Sequence, residues 1–456
     1  MRNRKKGSVT ILFALSMTGF LAFCLTLVEG ARIYCLRTKA EQAMELAAFS
    51  VLSEYQQELF DHYGLFFLDL NYEQETEYTA VLEQRAEKYL QKNAPELVSI
   101  QTAADNFRRS TDEGGTPFLK QAVLEMKEQT GYQLLEDFIG KDFGWSGSDA
   151  GNLDLDLQEL LGENKSEASG ILEGYVDSDG NPLFQISLPS ISFPTIDGLT
   201  EAVFGDRTGL SEKTIDLGER IQNRSLKRGT GTKETVSLVD QQWFHRYLFQ
   251  HFGNYLEESP QGLRETLDYQ MEYIIAGKES DVKNLEDIMW RIFLARAGGN
   301  YLFYHQDTGR MAKAEAEAAA LVGITGNAAL IGLVREIFLI AEAIEEGIGD
   351  TKRVFSGEKV PLYQNGIFSG ISLGYSEYLF LFLNLTDLEE KTCRSMDVVE
   401  LEVREKSGYE YLKLDHCTDS FTFMWNYQFE SLFETVPFLN SGSYEHTLTR
   451  TIFYEQ

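Results

Sequence analysis

The feature that most constrains the fold of this chain is an apolar run near its amino terminus. No charged side chain occurs between Gly7 and Val28, and Val9–Val28 is long enough to cross the ~30 Å hydrocarbon core of a membrane as a helix. A cleaved secretory signal is the alternative. Its apolar centre has only ~7–15 residues, however, and no convincing cleavage site follows this run. We therefore predict an uncleaved signal anchor, with a transmembrane helix over residues 7–29.

The charged residues that flank this run predict its orientation. Four basic side chains precede it: Arg2, Arg4, Lys5 and Lys6. The other flank carries Glu29 and then Arg32. Because basic residues favour the cytoplasmic side, we predict a cytoplasmic tail of residues 1–6 and an extracellular remainder on the cell membrane.

The rest of the chain is strongly acidic. Residues 30–456 contain 37 basic and 70 acidic side chains, which is a net charge of −33. A region this acidic is repelled by anionic lipid headgroups and has no concentrated basic face for nucleic acid. Apolar residues make up 43% of the chain and charged residues 25%, which are ordinary values for a globular protein.

The sequence after the apolar run predicts one long helix. Residues 31–63 contain neither glycine nor proline, and their apolar residues recur with the helical period. We expect the membrane helix to continue over residues 30–64 as a stalk that ends at Gly64, unless Gly30 acts as a hinge. Small residues along this stalk would allow it to pack against other helices.

The remaining sequence predicts an α+β fold, with a mostly helical extracellular domain and an antiparallel, β-rich end. We divide it into a helical region (65–139), an irregular or extended insertion (140–235), a helical core (236–347) and a β-rich part (348–456). In the core, Ser280 and Asn327 are predicted to begin helices, and Gly347 to end the second. Aromatic and β-branched residues predict strands at Tyr409–Leu414, Phe421–Phe429 and His446–Tyr454.

Motifs that carry chemistry are weak in this sequence. There is no His-Glu-x-x-His, and the local cluster Asp415–Cys417 lacks the further ligands that zinc needs. The glycine-rich Arg228–Lys233 lacks the ending of a phosphate loop, and Asp177–Asn181 departs from a calcium loop, so we predict a surface loop and a β-turn. We predict no catalytic residue, no cofactor and no metal site.

The four cysteines are too few for a disulfide framework. Cys393 and Cys417 are the candidate pair, because the exterior is oxidising and both lie in the predicted β-rich part. Sequence spacing does not fix the distance between them, so two free thiols remain the alternative.

One segment of the predicted helical core is distinctive. Its residues, called here the signature residues, are Glu272, Tyr273, Gly277, Lys278, Asp281, Asn284 and Arg296. Together with Asn300 and Asp350, this segment resembles a family of uncharacterised membrane-anchored proteins of clostridial-type bacteria. The resemblance implies no activity, because that family has none assigned. We predict that the signature residues shape a core turn and a helix start rather than a binding site.

The order of basic tail, single span and alanine-rich helix is also similar to that of Tad-pilus pseudopilins of the TadE and TadG kind. That resemblance implies a processing site between Gly7 and Ser8, with a glutamate at the fifth position of the mature chain. The fifth residue after Gly7 is Leu12, and the nearest acid is Glu29. The departure favours a TadG-like anchored accessory component over a fibre subunit.

Two functions follow as hypotheses. The first is a non-enzymatic, single-pass surface protein that acts by contact with other protein components of a pilus-like or secretion-related assembly. The alternative is a membrane-anchored extracellular domain that binds a ligand or hydrolyses cell-wall polymers, for which the sequence offers no specific residues.

Overall fold

A computed structural model describes most of the chain. The described ranges are 4–71, 79–130, 156–230, 234–258, 263–361, 372–432 and 442–454. In chain order the elements are α1 (Arg4–Leu52), α2 (Gln57–Tyr63), β1 (Leu68–Asp69), α3 (Thr79–Asn93), β2 (Val98–Arg109), α4 (Asp112–Thr130), α5 (Leu157–Glu173), α6 (Ile196–Phe204), α7 (Leu238–His251), α8 (Gln270–Ala276), α9 (Asp281–Tyr304), α10 (Thr308–Val322), α11 (Ala328–Phe355), β3 (Val360–Pro361), β4 (Ser372–Leu373), α12 (Tyr375–Leu385), α13 (Leu388–Arg404), β5 (Cys417–Glu430) and β6 (Ser443–Phe453). The chain forms two compact units. Unit 1 comprises residues 1–125, 225–237 and 399–456, and unit 2 comprises 126–224 and 238–398. The predicted α+β class is confirmed.

The long amino-terminal helix forms as predicted, but it is shorter than the full stalk. Helix α1 continues without a break through Gly30 and ends at Leu52. A turn follows, in which the Gln56 side chain accepts the N–H of Leu59 and begins α2. The second helix ends at Gly64, the residue predicted to end the stalk, and its φ of 64° is the left-handed conformation typical of a glycine that ends a helix.

An antiparallel sheet forms the other half of unit 1. Strand β5 pairs with β2 along one edge and with β6 along the other, and β1 pairs with the start of β5 on the edge opposite β2. The β5–β6 register joins Glu430 to Ser443 at one end and Ser420 to Phe453 at the other. The predicted strands at Phe421–Phe429 and His446–Tyr454 are therefore confirmed.

The core of unit 1 lies between this sheet and two helices. Alternate residues of β5 are buried because successive side chains of a strand point to opposite faces. They contribute Phe421, Phe423, Trp425, Tyr427 and Phe429 to the core. Helix α3 adds leucines, and α1 adds a run of small residues: Ala40, Ala43, Ala47 and Ala48. These alanines pack inside their own unit, against α3 and the sheet, so they are not available for the contact with sibling helices that small residues on the stalk would allow.

Unit 2 is mainly helical. The Ser280 side chain caps α9, and Asn327 accepts the N–H groups of Ala329 and Leu330 at the start of α11, as predicted. Gly347 does not end α11, which continues to Phe355. A Cβ at Gly347 would lie 3.0 Å from the Cβ of Ala297, so this glycine permits a close approach of α9 and α11.

Other regional predictions differ from the structure. The region predicted as helical (65–139) also contains the 12-residue strand β2, and its end at 131–139 lies outside the described residues. The described part of the insertion (140–235) contains helices α5 and α6, and isolated bridges join Val176 to Pro182 and Thr214 to Ser280. The β-rich part (348–456) includes α12 and α13, and Tyr409–Leu414 is not a strand. Glycine obscured the helices of the insertion, because it lowers helix propensity and lies within both α5 (Gly162, Gly170) and α6 (Gly198).

Candidate membrane anchor and signature cluster

The first half of α1 is exposed and apolar. Ile11, Leu12, Phe13 and Phe20 expose between 63% and 70% of their surface, so the described part of the protein leaves them largely uncovered. The hydroxyl groups of Thr18 and other polar residues in this half donate to carbonyls one turn earlier in the helix. A helix of this length and composition can cross a membrane, because its backbone polar groups are paired within it. Arg2 lies outside the described residues, as do the side chains of Arg4, Lys5, Lys6 and Ser8, whereas Gly7 is part of α1.

The exposed half of α1 ends at a buried acid. The Glu29 carboxylate accepts the backbone N–H of Leu432 at 3.2 Å, and it lies 3.5 Å from the Arg32 guanidinium. Arg32 in turn donates to the carbonyl of Glu430 at 2.8 Å and lies 5.9 Å from the centre of the Phe429 ring. The first charged residues after the apolar run thus fix the end of the β5–β6 hairpin to the helix.

Further contacts align the sheet with the second half of α1. Arg37 donates to His446 at 3.2 Å, and Arg450 donates to Glu45 at 3.3 Å. Near the end of the helix, the Tyr454 hydroxyl donates to the carbonyl of Leu52. Residue numbers rise together along α1 and β6, so the two elements run in the same direction. The anchor and the core of unit 1 therefore share one continuous helix.

The signature residue Asp281 joins three segments of unit 2. Its carboxylate accepts the Ser211 hydroxyl at 2.6 Å, the N–H of Asp268 at 2.9 Å and the N–H of Tyr269 at 3.2 Å. Burial raises the pKa of Asp281, and these hydrogen bonds oppose that increase. As the first residue of α9, Asp281 also lies where a helix favours negative charge. Asp281 therefore binds two loops, one at Ser211 and one at Asp268 and Tyr269, to the start of α9.

Glu272 is a fully buried carboxyl group in the middle of α8. Its Oε1 accepts the N–H of Tyr255 at 2.8 Å and the hydroxyl of Tyr375 at 2.5 Å. Its Oε2 has no hydrogen-bond partner among the residues that the structure describes. Burial raises the pKa of Glu272 to about 7, because an apolar, aromatic surrounding disfavours the charged form.

Tyr273, the next residue, belongs to a second buried network. Its hydroxyl donates to Asp397 at 2.9 Å, and Asp397 also accepts the N–H of Ile221 at 2.7 Å. The Arg220 guanidinium lies 5.1 Å from the centre of the Tyr273 ring and donates to the carbonyl of Gly277. Burial raises the pKa of Tyr273, so its hydroxyl keeps its proton and remains a donor.

Gly277 forms the turn between α8 and α9. Its φ of 66° is left-handed, and a Cβ there would lie 2.6 Å from Nε of Arg394. Arg394 donates to the carbonyls of Ile274 and Ile275, the last turn of α8. The Asn284 side chain accepts the N–H of Lys278 at 2.7 Å and so closes the turn.

Arg296 has partners of its own further along α9. Its guanidinium pairs with the buried Asp350, and Nη1 donates to the carbonyl of Pro361 at 3.0 Å. Asn300 also donates to Asp350, at 3.2 Å. Arg296, Asn300 and Asp350, three residues of the sequence resemblance, thus form a contact between α9 and α11. The other six signature residues lie together at the α8–α9 turn.

The cysteines are all free thiols in the structure. Cys393 and Cys417, the candidate pair, belong to different units and are not joined. Burial raises the pKa of Cys393 to about 12 and that of Cys417 well above its usual range, so both thiols are unreactive. Cys35 is exposed on α1 just beyond the apolar run.

The structure describes the three weak motifs of the sequence, at least in part. Asp177 accepts the N–H groups of Asp179 and Asn181 in a turn. In the glycine-rich loop (228–233), the N–H of Gly229 donates to the Asp112 side chain. Residues 231–233 of this loop lie outside the described part of the chain. Within that described part, no group of three His, Cys, Asp or Glu side chains is placed to hold a metal ion, the cluster at Asp415–Cys417 included.

Sequence reasoning missed the partners of the signature residues. Ser211, Arg220, Tyr375, Arg394 and Asp397 lie 57 to 124 residues from the groups they bind. Spacing within one segment carries no signal for such contacts. Only Asp350 and Asn300 were indicated beforehand, through the resemblance.

The matching family model covers residues 191–367 and 369–429, which is more than half of the chain. Its description is a family of unknown function, DUF5702.

The chain belongs to this family.

No curated protein matches the chain, and no solved structure does. The match includes the whole signature cluster, whereas α1 lies outside it. Membership in DUF5702 agrees with the expectation of an uncharacterised family. It gives no support to a Tad-pilus resemblance.

Proposed function

We propose that this DUF5702 protein is a single-pass membrane protein with a cytoplasmic amino terminus and an extracellular domain. The single observation that carries the proposal is α1, whose apolar half is exposed and whose second half lies in the core of unit 1. An exposed apolar surface of this length is costly in water and stable in a bilayer. The basic residues of the tail determine the orientation.

We further propose that the protein acts by protein contact, as a non-enzymatic accessory component of a pilus-like or secretion-related assembly. Beyond the span, α1 carries the exposed side chains of Leu46 (53%) and Phe49 (57%). Residues three apart lie on the same helix face, so these two form one apolar surface on the side away from the core. The carboxylate of Asp281 is already occupied by internal donors, which supports a structural role for the signature cluster.

Labelling of Cys35 tests the topology. A membrane-impermeant maleimide should modify the protein on intact cells, because Cys35 is the exposed thiol beyond the span. The Cys35→Ser variant should remain unlabelled, since Cys393 and Cys417 are buried. An added cysteine at position 3 in that background should react only after lysis. Labelling of position 3 on intact cells would overturn the orientation.

Deletion of the gene tests the assembly role. Surface fibres or secreted substrates should be lost and then restored by the wild-type gene, but not by a Phe49→Glu variant that is expressed and anchored normally. A Glu41→Gln variant is the matched control, because Glu41 is also exposed on α1 and its substitution leaves the apolar surface unchanged. Normal assembly in the deletion strain would refute this role.

Glu272 is the observation that favours the alternative of a ligand-binding or hydrolytic domain. A carboxyl group with a pKa near 7 and an unpaired oxygen can serve as a proton donor. Its side chain is fully buried, so a wall polymer would reach it only after α8 opened. Release of soluble fragments from purified cell wall by the wild-type protein, abolished in Glu272→Gln, would establish the alternative.

A further inference from the structure

Strand β6 is an edge strand of the sheet in unit 1, and its eleven residues pair with β5 in one continuous register. Just beyond one end, Tyr454 donates its N–H to the carbonyl of Asp419. Just beyond the other, the carbonyl of Gly442 accepts the N–H of Ser431. Because bonded and non-bonded residues alternate along an antiparallel pair, the even-numbered residues of β6 bond to β5. The odd-numbered residues direct their backbone N–H and C=O groups to the free edge: Ser443, Glu445, Thr447, Thr449, Thr451 and Phe453.

The free edge of β6 is uncovered in the described part of the chain. There, β5 is the strand that pairs with β6, and no other group bonds to the backbone of Ser443–Phe453. The β2 edge of the sheet differs, because its Ala104 N–H donates to Glu83 of α3. The carbonyl of Phe107, also on β2, accepts the N–H of Thr230. Strand β2 has bulges as well, whereas β6 has neither a bulge nor a proline, two features by which an edge resists a further strand.

The face of α1 next to this free edge is apolar and exposed. Glu45 marks the side of the helix that contacts β6, because its carboxylate accepts from Arg450. Each residue turns a helix by about 100°, so the core residue Met44 lies on one side of Glu45 and Phe49 lies on the other. The core side is covered by β5. Phe49, which is exposed, therefore lies next to the position that a further strand beside β6 would occupy.

We infer that an extended strand of a partner protein adds to the free edge of β6, with apolar side chains at alternate positions that cover Phe49. The unpaired backbone groups of β6 bind a strand, and alternate side chains of that strand point to the face where Phe49 lies. A second copy of this chain does not supply such a strand, because Leu448 and Ile452 of its β6 already pack against its own core. This inference rests on the proposed role in protein contact and names the kind of segment that α1 and β6 receive.

Photocrosslinking in intact cells tests the addition of a strand. The photoreactive residue p-benzoylphenylalanine replaces Thr447 or Thr451, whose side chains are exposed. Thr449→Pro removes the free-edge N–H between these positions but no donor of the β5–β6 pair. Thr449→Ala is the matched control, because it shortens the same side chain and keeps the N–H. Circular dichroism of the purified variants verifies that they are folded, and the crosslinked positions on the partner are measured without any proline variant.

The inference predicts that positions 447 and 451 both attach to one segment of one partner protein, at sites about four residues apart, as on a strand that runs alongside β6. Thr449→Pro should lower both yields by about tenfold, whereas Thr449→Ala should not. No adduct at either position, attachment to another copy of this chain, sites without this spacing, or equal yields in the two variants would each overturn the addition of a strand.

The assembly assay separates this inference from the proposed function. Normal assembly in Thr449→Pro, together with loss of assembly in Phe49→Glu, would overturn the addition of a strand and leave the contact role in place. Loss in Thr449→Pro but not in Thr449→Ala is the expected result. Normal assembly in the deletion strain would refute the role in assembly, and the crosslinks alone would then decide whether a strand adds to β6.

Discussion

The carboxylate of Glu29 accepts the backbone N–H of Leu432, although 403 residues separate them in the chain. This bond joins α1, immediately after its apolar run, to the end of the carboxy-terminal hairpin. Because the same helix continues into the core of unit 1, the proposed membrane anchor and the folded unit cannot rotate independently. The following predictions test that coupling and the signature cluster.

Substitution of a buried alanine on α1 should destabilise unit 1. Ala47 is fully buried among α1, α3 and the sheet, so Ala47→Leu should lower the free energy of unfolding by about 1–3 kcal/mol through overpacking. Ala31→Leu makes the same change at an exposed position of the helix and should alter stability by less than about 0.5 kcal/mol. Denaturant titration in detergent measures both. Equal stability of the two variants would contradict the packing of α1 in unit 1.

The pKa of Glu272 predicts a pH-dependent stability. Its pKa is 4.5 in the unfolded chain and about 7 in the folded protein. Between these values the unfolded state loses a proton that the folded state keeps, so the stability of the wild type should fall as pH rises from about 4.5 to 7, by on the order of 3 kcal/mol. Above pH 7 this contribution is constant.

The Glu272→Gln variant should lack this slope, because its side chain does not titrate, while its carbonyl oxygen still accepts from Tyr255 and Tyr375. Chemical denaturation of both proteins at pH 5 and pH 8 provides the comparison. If the difference in stability between them is the same at both pH values, Glu272 titrates normally and the account of its burial is wrong.

A side chain at Gly277 should be costly for two separate reasons. Its positive φ strains any L-residue by about 1–2 kcal/mol, and the new Cβ would displace the Arg394 guanidinium. Gly326→Ala is the matched control, because Gly326 also has a φ of 66° but open space around it. Gly277→Ala should therefore destabilise the protein by about 1 kcal/mol more than Gly326→Ala, through the loss of Arg394 bonds to the end of α8. Thermal unfolding of the two variants, followed by circular dichroism, gives this difference.

The Asp281 carboxylate should be the largest single polar contribution to the signature cluster. Asp281→Ala leaves the N–H groups of Asp268 and Tyr269 without an acceptor, each at a cost of about 1–3 kcal/mol. Asp281→Asn keeps one oxygen and should cost less. Ser211→Ala removes a single donor and should cost about 1 kcal/mol. The denaturation midpoint should be lowest for Asp281→Ala, higher for Asp281→Asn and highest for Ser211→Ala. Any other order would argue that Asp281 does not join the three segments.

The sequence predicted the structural features that depend on residues close together in the chain. The apolar run, the caps at Ser280 and Asn327 and the alternation of Phe421–Phe429 all follow from short-range periodicity and capping, and the structure has each of them. Helix α11 extends past Gly347 because close packing against Ala297, a tertiary contact, outweighs the local signal of a helix end.

The candidate site depends on contacts that local patterns do not encode. The pairing of β5 with β2 joins segments more than 300 residues apart, and the second half of β2, residues 103–109, lacks the β-branched, alternating pattern of a strand. In the same way, Glu272 could be singled out in the sequence, but its partner Tyr375 could not. The burial of a charged residue is a property of the fold, so the raised pKa of Glu272 had no counterpart in the sequence.

Protease shaving of intact cells, followed by intact-mass measurement of the membrane-extracted protein, tests the central claim most directly. The account predicts that external protease degrades units 1 and 2, and that the untreated chain still carries the basic residues Arg2–Lys6. A mature chain that begins at Ser8 would contradict the anchored accessory role and indicate a processed fibre subunit. Complete protection of both units on intact cells would contradict the orientation of α1 in the membrane.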